Sequence, residues 1–303
     1  MAVVTNKQIG INARRQTTQG RFYSIHSDRP PYPSVTTVLS IINKPAIAPW
    51  MAKMEREACI DAAFEQYMSG SDALMAKRYE YDTAPVDTNE RVNASDALKA
   101  LFKSELSAII GRQKAGTKAL EAAGEIGTQI HGKIEWRIRR DMGVTVGPEP
   151  KVCDPAEWGY MAFEDWAKKV SLKPIRIEHV LFSDQHQYAG TMDLLAWVTD
   201  ENGIAHRTLI DFKSGKAIYA EAYLQTAAYA HALEEMGLEH PEQGMIVRLP
   251  KNMDDPEFEV ADVPDLEGNF KAFLAALELW RWQQVQEAEY KAKVDRIKEE
   301  KAS

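Results

Sequence analysis

Three residues in the stretch Tyr188 to Gly215 carry the types and spacing that chemistry would use: Asp193, Asp211 and Lys213. Two carboxylates on paired strands leave a gap suited to a hard divalent cation. Mg²⁺ or Mn²⁺ takes such oxygens and keeps several waters. A metal held there polarises a phosphodiester and acidifies a bound water. Lys213 would orient or deprotonate that water, or steady the charge that builds on phosphorus. Asp-x-Lys by itself is common and equally fits a surface hairpin with a salt bridge. The neighbours argue for a site. Met192, Leu194, Leu195, Leu209, Ile210 and Phe212 are apolar, and charge among apolar strands is costly unless it serves a purpose.

These residues need a hairpin to position them. Thr191 to Thr199 and Arg207 to Phe212 are rich in β-formers, with the turn cluster Asp200-Glu201-Asn202-Gly203 between them. Alternation along a strand puts Asp211 and Lys213 on one face and Ile210 and Phe212 on the other. The turn decides where Asp193 goes. A two-residue Asn202-Gly203 turn sets it opposite Phe212. A three-residue Glu201-Asn202-Gly203 loop, closed by Asp200 and Ile204, sets it opposite Asp211. Gly203 suits the left-handed last position of the longer loop, which is the form predicted.

The flanking chain reads as mixed α and β. Residues 1–33 look irregular or β-like. Ser34 can cap a helix over Val35 to Ile42, and the Ser34, Thr36, Thr37 group is either a plain capping cluster or a phosphate contact. A second helix is predicted from Ala48 to about Met68. Residues 69–95 fit either a mobile loop or an inserted helical pair. Helices follow over Ser95 to Gly111 and then through Leu120. Another opens at Gly124 and runs to about Arg140. On this last helix His131 and Glu135 share a face. A lone helical His is most often an ordinary surface or hydrogen-bonded residue. Lys133, Arg137, Arg139 and Arg140 make the helix basic, which means either a solvated face or phosphate contact. Gly127 permits close approach to the sheet or a substrate.

Trp158 to Val170 is predicted helical and Ile175 to Ser183 a strand. Glu178 within that strand is either a further site carboxylate or a paired edge residue. After the hairpin come a helix over Ala220 to Met236, strands at Met245 to Leu249 and Phe258 to Val263, and a long helix over 266–300. Gln225 and Tyr229 share one face of the first of these helices, where ordinary packing with a polar edge also explains them.

Composition sets outer limits. The 303 residues suffice for one large domain or two modest ones, and 45% hydrophobic with 27% charged content is ordinary for a globular protein. A net charge of −8 argues against a generally basic nucleic-acid coat but leaves room for a local basic groove. Two cysteines cannot hold a four-cysteine iron–sulfur cluster and suggest a reducing compartment. There is no phosphate-loop motif for a nucleotide. The lack of a long apolar run and of a signal-peptide pattern predicts a cytoplasmic protein without a membrane partner.

With the motifs GTQIH (Gly127 to His131), GTMD (Gly190 to Asp193), DFKSG (Asp211 to Gly215) and QTAAY (Gln225 to Tyr229) in this order, the chain resembles the PD-(D/E)XK nuclease superfamily. It looks closest to the RecB-like and mitochondrial genome maintenance exonuclease branch, in a phage-type version. The segments YPSVTTVLS and KPAIAPW look like the N-terminal helical part of that branch. The resemblance implies an α/β fold: a restriction-endonuclease-like core, a central mixed sheet flanked by helices, with an added N-terminal helical region and a long C-terminal helix. It implies an extended and helical region over 1–123 that forms an arch or lid, a nuclease core over 124–263, and a helix with a charged tail over 264–303. His131, Asp193, Asp211 and the backbone carbonyl of Phe212 would be metal ligands, with Lys213 the catalytic lysine. Glu135, Glu178, Gln225, Tyr229, Thr191, Ser214, Arg137 and Ser34 would support the site or touch DNA.

The implied activity is a Mg²⁺- or Mn²⁺-dependent DNA exonuclease on single strands or duplex ends. It would serve recombination, repair or replication in the cytoplasm, the host's if phage-encoded, beside a strand-annealing or single-strand-binding protein. The alternative is a catalytically silent nuclease fold that binds nucleic acid or a partner.

Overall fold

Strands rich in Val, Ile, Leu and Phe build the centre of the protein. A computed structural model describes residues 12–17, 20–42, 44, 47–69, 71–86, 88–200, 202–252, 254–255 and 257–302. Five strands form the main sheet in sequence order: β4 (Ser171–Ser183), β5 (Tyr188–Thr199), β6 (Ala205–Lys213), β7 (Gln243–Arg248) and β8 (Glu259–Val263). Only the β6–β7 pair is parallel. A parallel pair needs a crossover, and helix α7 (Ala220–Glu235) supplies it. A small sheet, β1 (Asn12–Thr17), β2 (Gly20–Ser24) and β3 (Tyr32–Pro33), is followed by the short helix α1 (Val35–Leu39).

Both faces of the main sheet are covered. One layer is α5 (Ala115–Asp141) and α6 (Asp154–Lys169), which bring Ile130, Ile134, Ile138, Phe163 and Trp166 onto Leu194, Ile210 and Phe212. The other layer is α1, α7 and α8 (Leu266–Ala302). There Val38, Leu233, Phe273 and Leu277 pack on Met192, Leu195 and Leu209. Each of these side chains is buried, and full burial of one contributes roughly 1.5–3 kcal/mol. This is the α/β arrangement with a mixed five-stranded sheet and a long C-terminal helix that the sequence implied.

Contacts divide the chain into two compact units, Met1–Asn43 with Ile126–Ser303, and Lys44–Glu125. The second unit is helical: α2 (Ile47–Ser69), α3 (Asp72–Thr83), α4 (Asn89–Gln113) and the start of α5. Residues 69–95 thus include a helix, α3, capped by Ser71. The separate helices expected to end at Leu120 and to open at Gly124 are one element, α5. An interior glycine costs a helix only about 1 kcal/mol, so Gly124 and Gly127 do not stop one whose later turns bury Ile130, Ile134 and Ile138.

The hairpin closes in the longer form. The Asp200 N–H donates to the Ile204 carbonyl at 2.8 Å, the Gly203 N–H donates to the Asp200 carbonyl at 3.0 Å, and Gly203 has φ +78°. The Asp200 carboxylate also accepts the Asn202 and Ile204 N–H groups. Glu201 lies outside the described residues. The ladder pairs Thr199 with Ala205 and continues to Leu194 with Ile210, the register that points Asp193 toward Asp211.

Candidate active site

At the site end of the sheet the regular pleat breaks. Met192 joins the α1/α7/α8 layer and Leu194 the α5/α6 layer, although residues two apart on a regular strand share a face. Strand β4 does the same across from it: Ile177 belongs to the α5/α6 layer and Leu181 to the other. Pairs Ile177–Leu194 and His179–Met192 flank the break, which falls at Glu178 and Asp193. Glu178 has φ +46°, a left-handed conformation that costs a side-chain-bearing residue about 1–2 kcal/mol. The change of phase in both strands turns both acids out of the two cores.

The result is one group of donors. His131 on α5, Glu178 on β4 and Asp193 on β5 each offer a ligand atom, and these atoms lie within 4.8 Å of one another. His131 Nδ1 is 3.5 Å from Asp193 Oδ1, and its ring stands edge-on to Phe212. Burial pulls the imidazole pKa down, but Asp193 and Glu178 outweigh it and raise the value to about 9. Burial pushes the Asp193 carboxyl up, yet the facing His131, Lys213 and the Phe212 N–H hold it below the usual range. That N–H donates to Asp193 Oδ2 at 2.7 Å. It fastens the strand pair where the backbone ladder has stopped.

Asp211 sits beside this group and is held differently. Its Oδ1 accepts from Gln225 Nε2 at 2.8 Å, and Lys213 Nζ lies 2.6 Å from Oδ2. Lys213 also donates to Gln225 Oε1 at 3.2 Å. The Lys213 contact is an ion pair without hydrogen-bond alignment, so Oδ2 is a buried oxygen with no aligned donor. Burial, with Asp193 adding repulsion, raises the Asp211 carboxyl to about 6 against the pull of Lys213 and His131. Burial would lower the Lys213 pKa, but Asp211 and Asp193 raise it above the ordinary value. Lys213 is therefore an ammonium at neutral pH.

His131, Glu178, Asp193 and Lys213 line one cavity of about 440 Å³, and Asp211 lies buried behind Lys213 and Gln225. Thr191, Ser214, Glu135, Gln225 and Tyr229 reach it as well. Two glycines bring their elements close enough. A Cβ on Gly127 would stand 2.7 Å from Ser214 Oγ, and one on Gly190 would stand 2.9 Å from Tyr229 Oη. Gly127 thus lets α5 approach the end of β6, and Gly190 lets α7 lie against β5. Thr191 is bonded to Tyr23 Oη at 3.0 Å.

Two of the sequence candidates sit elsewhere. Ser34 is buried as the cap of α1, accepting the Thr37 N–H at 3.0 Å, and Thr36 lines the cavity in its place. Arg137 points to the far side of α5, ion-paired with Glu164 at 3.2 Å and with Asp141. The rest of the basic run is also taken up by carboxylates: Lys133 by Glu157 and Glu149, Arg139 by Glu135, Arg140 by Asp141. Its charge closes ion pairs and does not face the cavity. Sequence reading missed Arg21, which does line the cavity. It also missed Arg248, fully buried behind Lys213 in the parallel register and bonded to Glu259 and the Gly215 carbonyl. Nothing local in the sequence marks either.

Residues 156–300 match the family model of the PD-(D/E)XK nuclease superfamily. The matched segment is similar to this superfamily. It contains Glu178, Asp193, Asp211, Lys213, Gln225 and Tyr229, while His131 precedes it. Nucleases of this superfamily use divalent metals, and the His131–Glu178–Asp193 group fits such an ion. No curated protein matches the chain. No helix among the described residues is long and apolar enough to cross a membrane.

Proposed function

We propose that the protein is a Mg²⁺- or Mn²⁺-dependent deoxyribonuclease that digests single-stranded DNA or duplex ends, in recombination, repair or replication. The observation that carries this reading is the meeting of His131, Glu178 and Asp193 with Lys213 in one cavity, with Asp211 ion-paired to Lys213 beside it. The resemblance to RecB-like exonucleases supports action at ends, and a strand-annealing or single-strand-binding protein is the matching partner.

The donor set fits a hard cation on its own terms. It offers carboxylate oxygens, one imidazole and the buried Asp211 Oδ2 that no hydrogen bond satisfies. His131, Glu178, Asp193 and Asp211 would hold the ion, with the Phe212 carbonyl as a further oxygen. When bound, such an ion polarises the phosphodiester and acidifies a water. Gln225 fixes Asp211 through Oδ1, so that Oδ2, ion-paired with Lys213, is the oxygen turned to this task. Lys213, kept protonated by Asp211 and Asp193, acts as a fixed positive charge beside the scissile phosphate and not as a base. Phe212 and the α5/α6 core wall the cavity on its apolar side, which strengthens each electrostatic contact within it.

The test uses end-labelled single- and double-stranded oligonucleotides and linear against circular DNA, with Mg²⁺ or Mn²⁺. Linear DNA should be shortened from its ends while circles survive. Asp211→Asn and Lys213→Ala should stop the reaction, and digestion that persists undiminished in both variants would defeat the assignment.

A further inference from the structure

We propose that Arg21 is a substrate-contacting residue whose guanidinium holds a phosphate of the bound strand next to the one being cleaved. This rests on the nuclease reading and extends it to how the strand is positioned.

Arg21 lies on β2, well before the matched family region, yet it lines the same cavity as Asp193 and Lys213. Its backbone is clamped on both sides. The Arg21 N–H donates to Thr37 Oγ1 at 2.8 Å, while its carbonyl accepts from Thr37 Oγ1 at 3.0 Å and from the Ser34 N–H at 2.8 Å. The base of the side chain is thus fixed before any ligand arrives. The head is not satisfied. Nε is buried and has no hydrogen-bond acceptor. Among the described residues no carboxylate forms an ion pair with Arg21, whereas Arg137, Arg139, Arg140, Arg176 and Arg248 each have one. A guanidinium that no carboxylate holds, on a side chain lining the cavity, matches a phosphate with two parallel bonds.

The cavity's charge makes the same point. Glu135, Glu178, Asp193 and Asp211 surround the site, so a polyanionic strand needs cations to sit there. Lys213 is tied to Asp211, and His131 faces Asp193. Arg21 is the lining cation not held by a carboxylate. The exposed hydroxyl-bearing residue Thr36 lines the cavity with it and offers a further donor to the same anion.

The experiment uses the full chain and a labelled single-stranded oligonucleotide in which one phosphate at a time is replaced by a neutral methylphosphonate. Binding is read by anisotropy in Ca²⁺ and cleavage in Mg²⁺. In the wild type, one replacement next to the scissile position should weaken binding about tenfold. Arg21→Ala should lose about the same affinity on unmodified DNA, become indifferent to that one replacement, and show a salt slope smaller by roughly 0.7, one single-strand phosphate contact. Arg21→Lys should recover part of the loss. Oligonucleotides ending in phosphate or hydroxyl separate a terminal monophosphate from an internal diester as the anion held. Wild-type affinity in Arg21→Ala, or undiminished sensitivity of this variant to every replacement, overturns the proposal. If the wild type binds but cleaves in no metal, the nuclease reading fails while the binding arm still reports on Arg21.

Discussion

Lys133 and Lys213 both place an ammonium inside the protein, and their surroundings show what separates a structural charge from a working one. Lys133 Nζ meets Glu157 at 2.6 and 2.8 Å and Glu149 at 3.0 Å, and it lies 4.5 Å from the centre of the Tyr160 ring. Its donors are all answered, and its carboxylates sit at the rim where water reaches them. Lys213 has one close carboxylate, and that carboxylate is itself buried, unaligned at Oδ2 and shifted upward in pKa. More acids crowd beside it, and Glu178 is in a strained backbone conformation. The first cluster answers every donor of its ammonium and ties α5 to α6. The second is left out of balance, which is what binding a cation and a phosphate requires.

The sharpest break of this contrast is in activity. Lys213→Ala and Asp211→Asn should each lower DNA hydrolysis about 10²–10⁴-fold, while Lys133→Ala should leave turnover per folded molecule near wild type, as read by single-turnover cleavage. Metal affinity comes next. His131→Ala should weaken Mn²⁺ binding by about 10–100-fold, measured by calorimetry, with no such change in Lys133→Ala.

Stability should run in the opposite sense. Lys133→Ala leaves its carboxylates without their cation and should cost about 1–3 kcal/mol in urea unfolding, discounted from fully buried pairs because Glu149 and Glu157 are half exposed. Asp211→Asn should instead stabilise the metal-free protein. The folded Asp211 pKa of about 6 lies above its ordinary 3.8, so its favourable contribution is complete below about pH 4 and is lost as pH rises through 6. The variant should therefore gain up to roughly 3 kcal/mol over wild type at pH 7, and the gap should close toward pH 4. The smallest effect concerns Glu178. Glu178→Gly should relieve the left-handed strain and raise metal-free stability by about 1 kcal/mol while still weakening Mn²⁺ binding. A stability loss there would show that the φ of +46° carries no strain.

Legibility in the sequence followed the range of the interaction. The β5–β6 register could be read because Asp200, Asn202 and Gly203 set it within a few residues. The faces of Asp211 and Lys213 followed from alternation alone. Alternation misleads at Glu178 and Asp193, where both strands change phase, and only the packing of two separate cores shows why. The basic run on α5 was equally opaque. Four positive residues in eight positions look alike in sequence, and the carboxylates that claim them come mainly from α5 itself, α6 and the loop at Glu149. Arg21 could not be found locally, because its role depends on a strand nearly 170 residues away.

The sequence by itself determined the strand and helix types, the hairpin turn and the identity of the acid and lysine residues, since these rest on local propensity and short-range hydrogen bonds. The tertiary structure decided which charges are neutralised and which are left to act. That depends on burial and on partners brought in from distant elements, and neither is written in the spacing of any one segment.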